Sequence, residues 1–261
     1  MQRFPAVFVS HGAPLLAIRD VPAHRFLRVL GQRLGRPHAI LVATAHWDTI
    51  EPALGTAAAP ETVHDFGGFP QQLYEIAYPA PGASEVGREA VRLLNAAGFP
   101  AAEDSRRGLD HGTWLPLLLM YPDADVPVAQ LSVQPARDPA HHFRVGEALR
   151  PLRDAGVLIV GSGTFTHNLA AAFRAMRRGG EAELPFTEAF VDWIADRVAA
   201  NATDDLLAYR TRAPHARENH PTDEHFLPFF VALGAGSPGI AGERLHHSAD
   251  FAMAMDAYAF G

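Results

Sequence analysis

The chain has 261 residues, 48% of them hydrophobic, so it is long enough to bury a substantial core. It contains no cysteine and no lysine, which excludes disulfides, thiolate metal sites, a cysteine nucleophile and lysine Schiff-base chemistry. The formal net charge is −7 and no dense basic run occurs, which argues against nucleic-acid binding and favours a small-molecule partner.

No apolar run approaches the roughly 20 residues that a membrane span needs. Residues 1–5 also lack the basic and apolar regions of a signal peptide. We therefore expect a soluble, cytoplasmic protein without a membrane partner.

The first part of the chain predicts a β-α-β unit. Residues 6–9 and 39–43 are short apolar runs typical of buried parallel strands. Between them, residues 21–34 carry apolar side chains at helical spacing before a glycine and a proline. If the two strands are parallel neighbours, their ends meet at the same edge of the sheet.

The rest of the chain continues the alternation. Helices are predicted over residues 84–97 and 143–155, with two more between 185 and 209, and strands over 126–133 and 157–160. A later helix is predicted to begin near Pro221 with Thr222 as its N-cap, which puts His225 in its first turn. Residues 251–255 alternate large and small side chains and predict a final strand. The pattern indicates one α/β domain over residues 1–261, a sandwich with a central mixed, mostly parallel sheet flanked by helices on both faces.

Five histidines stand in short motifs distributed along the chain: His11, His46, His111, His167 and His225. Three of them follow predicted strands directly or after a tight loop, where open α/β sheets collect their catalytic groups. Imidazole and oxygen are the only ligands left for a transition metal, so this set predicts a mononuclear metal enzyme. The other histidines that we place mostly at the surface are His24, His38, His141, His142, His215, His220, His246 and His247.

Several alternatives stay open from the residues alone. Asp110 or a nearby carbonyl can fix the tautomer of His111. The glycines flanking Ser162 permit close backbone approach near a ligand, but the motif is not that of a serine hydrolase. Glu224 competes with His225, because it would complete a two-histidine, one-carboxylate iron site with the first two histidines.

The glycine-rich loop over residues 64–70 is predicted to cover a pocket. We assign His64, Phe66 and Phe69 to substrate binding, with simple packing of the loop as the alternative.

Taken together, the motifs resemble the extradiol ring-cleaving dioxygenases of the protocatechuate 4,5-dioxygenase type, in particular the DODA-type, or 4,5-DOPA extradiol, branch. The resemblance spans almost the full length and rests on the order and spacing of residues 10–14, 45–47, 64–70, 110–114, 121–127, 166–169 and 224–228.

The resemblance implies that His11, His46 and His225 hold the metal. It further implies that His167 is the acid–base residue and approaches or ligates the metal, and that His111 lies beside the dioxygen site. The working metal would be one non-haem Fe(II) per chain, in a ligand set that also accepts Zn(II) in purified protein. The substrates would be O₂ and a small aromatic diol whose ring opens beside its hydroxyls. No organic cofactor is implied.

Two other functions compete with ring cleavage. One is a zinc hydrolase in which metal-activated water attacks an amide or ester and His167 shuttles the proton. The other is a non-enzymatic relative that keeps the pocket for binding, although a binding protein has no need of a proton shuttle.

Overall fold

The computed structural model of the chain describes residues 2–177 and 184–261 and is built around an eight-stranded sheet. The strands are β1 (Ala6–Ser10), β2 (Ala39–Asp48), β3 (Ala53–Gly55), β4 (Ala102–Asp104), β5 (Val128–Val133), β6 (Val157–Gly163), β7 (Glu243–His246), β8 (Ala249–Asp250), β9 (Met253–Ala254) and β10 (Ala257–Phe260). The α-helices are α1 (Pro22–Leu34), α2 (Ser84–Ala96), α3 (His111–Met120), α4 (Pro139–Leu149), α5 (Leu169–Arg177), α6 (Pro185–Ala199), α7 (Thr203–Leu207), α8 (Tyr209–Arg212), α9 (Ala216–Asn219) and α10 (Leu227–Ala235). Short 3₁₀ segments occupy Pro14–Ala17, Gln71–Glu75 and Arg150–Ala155.

The sheet is mixed and mostly parallel, as predicted. Its strand order is β4-β3-β5-β2-β6-β1-β10-β7, while β8 and β9 form a separate pair. The central strands β1, β6, β2 and β5 are mutually parallel, and β10 runs antiparallel to β1. The first two strands are not neighbours, because β6 lies between them. Their carboxyl ends still share one edge, since all three run in the same direction.

Alternating side chains of the central strands bury the two faces of the sheet under different helices. Val7, Val42 and Val160 pack with α1 and α3 on one face. The neighbouring positions Leu41 and Ile159 pack with α2, α4 and α10 on the other. Near β1 and β10, an aromatic cluster with α6 and α10 extends this second layer. The predicted α/β architecture with helices on both faces is therefore confirmed.

Two predicted elements are wrong near the end of the chain. The helix expected to start near Pro221 begins only at Leu227, so Thr222 is not its N-cap; its hydroxyl donates to Glu224 instead. His225 consequently lies in a turn. The final strand expected over 251–255 is largely a turn with the short β9, and the strand that joins the sheet is β10.

Three histidines placed at the surface from their polar neighbours are buried: His141, His142 and His220. Tertiary hydrogen bonds explain the difference, because each ring reaches a partner that local sequence does not reveal. His142 Nε2 accepts from the backbone N–H of Gln134, and His220 Nε2 donates to the carbonyl of Phe165. Within the described residues, no helix is both long and apolar enough to cross a membrane.

Candidate active site

Five histidines from different parts of the chain converge on one cavity of about 320 Å³ at the carboxyl edge of the central strands. They come from the end of β1, the end of β2, the first turn of α3, the loop after β6 and the turn before α10: His11, His46, His111, His167 and His225. Ring centroids lie 4.9 Å apart for His11–His46, 4.9 Å for His46–His225, 5.6 Å for His11–His225, 3.9 Å for His46–His111 and 3.5 Å for His167–His225. The structure thus brings together all five residues that the sequence singles out.

His11 is held in one tautomer by a buried serine. Its Nδ1 lies 3.0 Å from Ser162 Oγ, and the Ser162 hydroxyl in turn donates to the carbonyl of Gly112. Because the hydroxyl proton is used on that carbonyl, the serine oxygen accepts from Nδ1–H of His11. The Nε2 atom of His11 is therefore unprotonated and lies 3.0 Å from Nε2 of His46. Ser162 positions an imidazole, and among the described residues its hydroxyl proton goes to a carbonyl and not to a base that would make it a nucleophile.

Asp65 serves two of the histidines at once. Its Oδ1 accepts from both the backbone N–H and Nδ1 of His111, each at 2.9 Å, and its Oδ2 lies 3.4 Å from Nδ1 of His46. Asp110, which the sequence offers as the partner of His111, instead caps α3 by accepting from the N–H of Thr113. The sequence carries no spacing signal for Asp65, since 46 positions separate it from His111.

Glu224 contacts two other histidines of the site, His225 and His167, as Asp65 contacts His111 and His46. Its Oε1 lies 3.0 Å from Nδ1 of His225 and 3.9 Å from Nδ1 of His167. Those two rings stack at an interplanar angle of 12°. Since Glu224 contacts His225 from behind and does not line the cavity, the imidazole, and not the carboxylate, faces the other histidines.

The turn that carries His225 fits against β6 only because that strand ends in small residues. A Cβ on Gly163 would lie 2.0 Å from the carbonyl oxygen of His225, and one on Gly161 would lie 2.1 Å from that of Pro228. The N–H of Thr164 also donates to the carbonyl of His225. The close approach that these glycines permit is therefore to backbone, not to a ligand as the sequence suggested.

Burial keeps four of these imidazoles neutral: His11, His46, His167 and His225. Burial first, and then the charges of neighbouring histidines, hold the pKa values of His11 and His225 well below the ordinary range. The same causes lower the pKa of His46 to about 3, and burial lowers that of His167 to about 4 although Glu224 opposes the shift. Burial raises the pKa of Asp65, but its hydrogen bonds and attraction to His111 outweigh this and lower it to about 2. Neutral imidazole is the form that binds metals.

The donor geometry fits a single metal ion. Two imidazole nitrogens bound to one ion at about 2.1 Å and at an angle of about 90° lie about 3.0 Å apart, which is the separation of Nε2 in His11 and His46. Two groups of potential ligand atoms lie close together here: His11 with His46 and His111, and His167 with Glu224 and His225. With Nδ1 engaged behind the ring, Nε2 is the atom left for a metal in His11, His46, His111 and His225.

The outer wall of the cavity is apolar and partly aromatic. Phe66 and Phe69 line it together with Phe173 and Phe251. His64 is not among the lining residues; its Nε2 bonds the carbonyl of Ile76 and its ring packs at 5.7 Å from Phe66. Two of the three residues assigned to substrate binding thus face the cavity, while the third lies behind one of them.

Comparison with known proteins agrees with this geometry. Residues 5–260 match the model of a family described as the catalytic LigB subunit of aromatic ring-opening dioxygenase. The chain belongs to the LigB family. Among LigB-related proteins, the 4,5-DOPA dioxygenase extradiol of Beta vulgaris is 41% identical over 93% of this chain and 91% of its own length. That of Escherichia coli K12 is 38% identical over 89% and 85%. The crystal structure of an uncharacterized E. coli K12 protein superimposes with a TM-score of 0.83 at 31% identity, covering 99% of this chain and all of the other.

LigB-family membership and these relatives make the chain a DODA-type extradiol ring-cleaving dioxygenase, an oxidoreductase of a metal-dependent family. The zinc hydrolase and the non-enzymatic binding protein, which the sequence left as alternatives, are set aside by the same findings. Sequence reasoning missed the supporting groups Ser162 and Asp65, which become visible only when distant segments meet.

Proposed function

We propose that the chain opens the ring of a catechol with O₂ through one Fe(II) ion held by His11, His46 and His225. The observation that carries this is the convergence of five imidazoles on one apolar cavity, with Nδ1 of four of them engaged behind the ring. Imidazole nitrogen suits iron and zinc alike. Zinc bound to the same ligands in purified protein would therefore give an inactive form of the enzyme.

His225 is the third ligand in this proposal, in preference to His111. Both rings direct Nε2 away from a carboxylate, but His111 is anchored by Asp65 through two hydrogen bonds, which suits a residue that contacts O₂ or substrate. His225 lies 4.9 Å from His46 and 5.6 Å from His11, ring to ring, and His111 lies 3.9 Å and 5.4 Å from the same two rings, so ring spacing does not separate the two candidates. The resemblance to DODA-type enzymes supports the same choice. His167 reaches the metal region through its stack on His225 and is close enough to be a further ligand.

A bound Fe(II) would lower the pKa of the catechol hydroxyls and pass electron density from the ring to O₂. The chain's own residues do the rest. His167 is neutral at pH 7 and accepts a proton from a substrate hydroxyl, and Glu224 at 3.9 Å stabilises the imidazolium that results. Returning that proton to an oxygen of the product restores the resting state.

The apolar wall supports an aromatic substrate. Phe66 and Phe69 form an edge-to-face pair at 5.5 Å, a surface on which the face of a catechol ring packs. The names of the Beta vulgaris and E. coli relatives make 4,5-DOPA cleavage the first activity to test. His64 contributes by supporting Phe66 from behind. We also propose that residues 1–261 form one catalytic domain and that the protein works in the cytoplasm.

The test is metal loading followed by oxygen. Metal-free protein is loaded anaerobically with Fe(II) or Zn(II), mixed with DOPA, catechol and other substituted catechols, and then exposed to O₂ while oxygen uptake and visible absorbance are recorded. We expect a yellow ring-opened product with iron and none with zinc. No oxygen uptake across the iron series would contradict the proposal.

Two matched variants separate the candidate third ligands. We expect His225→Ala to lose stoichiometric metal and His111→Ala to keep it while turning over slowly. The opposite result would assign the metal to His11, His46 and His111.

A further inference from the structure

His220 is a polar side chain in an apolar setting. It is fully buried, stacks on Phe226 with ring centroids 4.9 Å apart, and meets Phe190 edge-on at 5.6 Å. Its Nε2 donates to the carbonyl of Phe165 at 2.8 Å, while its Nδ1 has no hydrogen-bond partner within the described part of the chain. A buried nitrogen without a partner costs stability, and a phenylalanine here would pack without that cost. The one hydrogen bond that the ring makes is therefore the feature to explain.

That hydrogen bond belongs to a set that fastens one loop to another. The loop after β6, which carries His167, is bound on one side by the segment that ends α9. The contacts are His220 Nε2 to the carbonyl of Phe165 at 2.8 Å, the N–H of His167 to the carbonyl of Asn219 at 2.9 Å, and Asn168 Nδ2 to the carbonyl of Glu218 at 2.7 Å. Residues 218–220 thus bond three of the four residues in the stretch 165–168, which contains the proposed proton acceptor His167.

The anchoring segment is itself fixed to the helical layer. Asn219 is fully buried, its Nδ2 donates to the carbonyl of Phe186 at 3.1 Å, and its Oδ1 accepts from the hydroxyl of Thr187 at 3.1 Å. Both partners lie in the first turn of α6. The loop is therefore tied through this segment to a packed helix, which gives it a fixed reference.

His220 also connects the two halves of the stacked histidine pair. Its ring lies against Phe226, the residue after His225, while its Nε2 holds the backbone two residues before His167. The 3.5 Å stack of His167 on His225 depends on both backbones keeping their places.

We propose that His220 is a positioning residue, which holds His167 over the metal region by bonding the Phe165 carbonyl and seating Phe226. The proposal rests on the proposed role of His167 in ring opening. A displacement of about 1 Å at a reacting group can cost about 10²-fold in rate, so loss of this hydrogen bond is expected to lower kcat while leaving the proposed metal ligands in place.

The experiment compares His220→Leu with His220→Gln. Leucine fills space without donating, whereas the glutamine amide nitrogen reaches the position of Nε2 and restores the donor. His142→Leu is the matched control: His142 is also buried and bonds backbone groups of Gln134 and Asp138, but it does not line the cavity. Each protein is measured for iron content, for kcat and KM with the best catechol, and, in the metal-free state, for hydrogen exchange of the His167 backbone amide.

For His220→Leu we expect iron content near that of the wild type, kcat lower by about tenfold or more, little change in KM, and His167 amide exchange faster by about tenfold or more. His220→Gln should recover both kcat and protection, and His142→Leu should change neither. Wild-type kcat in His220→Leu, or an equal loss in the glutamine variant, would overturn the proposal. If the wild type opens no catechol ring, the proposed function fails. Amide exchange would then still decide the attachment of the loop: equal exchange in wild type and His220→Leu would overturn it.

Discussion

Gly163 offers the sharpest test of how the site is assembled, because it contacts two proposed ligands through backbone alone. Its carbonyl accepts from the N–H of His11 at 2.8 Å, and its Cα faces the carbonyl of His225. A Cβ added there would lie 2.0 Å from that carbonyl oxygen, whereas ordinary contact begins at 3.4 Å. The turn carrying His225 must therefore move by about 1.4 Å in Gly163→Ala, more than the roughly 0.5 Å within which a functional group must be held.

The consequences for stability and metal binding can be separated. Crowding of this kind costs about 1–3 kcal/mol in folding free energy. Gly146→Ala is the matched control, because its Cβ would lie 2.1 Å from the carbonyl oxygen of Val231, a contact that does not line the cavity. We expect both variants to lose stability in urea denaturation, but only Gly163→Ala to lose metal affinity, by about tenfold or more. Competition titration with a chromophoric chelator measures that affinity. Equal metal affinity in the two variants at comparable stability would refute the placement of His225 in the ligand set.

Three further predictions follow from the same geometry. His167→Ala should keep metal and abolish ring opening, whereas His46→Ala should lose metal; metal analysis beside oxygen uptake checks both, and full turnover by the first variant would contradict its role. Asp65→Asn removes the negative charge shared by two imidazoles and should lower metal affinity by about 10–100-fold, measured by the same titration; unchanged affinity would exclude a supporting role. In metal-free protein, burial lowers the pKa of His142 to about 4 and that of His220 to about 3, while the unfolded chain titrates near 6.5. The unfolded state therefore binds more protons as the pH falls below 6.5, and at pH 5 each histidine should remove about 2 kcal/mol of stability. A urea midpoint that stays constant from pH 7 to pH 5 would refute this.

The fold was predictable where local pattern and tertiary environment agree. The runs that became β1, β2 and β6 are apolar and bounded by breakers, and each is buried on both faces in the sheet. The placement of β6 between the other two was not predictable, because strand order depends on long-range pairing that no local pattern encodes. The error at α10 has a similar cause. Thr222 and the acids after it have the composition of a helix start, but their side chains have other partners inside a turn. The Thr222 hydroxyl donates to Glu224, Glu224 contacts His225, and Asp223 accepts from the Tyr209 hydroxyl.

The candidate site was predictable as a list of histidines and not as an arrangement. Metal-binding imidazoles need a second group on the far nitrogen, and those groups come from distant positions. Ser162 lies 151 positions from His11, and Asp65 lies 46 positions from His111. A buried histidine such as His220 is equally invisible, since its polar neighbours along the chain say nothing of the aromatic side chains that enclose it.

The placement of Asp65 and Glu224 bears on the charge of the proposed metal site, which depends on whether Glu224 is a ligand. A ligand set of three neutral imidazoles brings no negative charge to a divalent ion, whereas a set with Glu224 as ligand would bring one. In this structure two carboxylates stand directly behind the rings, Asp65 on His46 and His111, and Glu224 on His225 and His167. Together they would offset the two positive charges of a divalent ion held by the proposed ligands, without themselves being ligands. Each carboxylate also joins one proposed ligand to one residue proposed to act on substrate or O₂. The positions facing the cavity are thereby left to imidazole nitrogens, and a chelating, doubly oxygenated ring would bring its own negative charge.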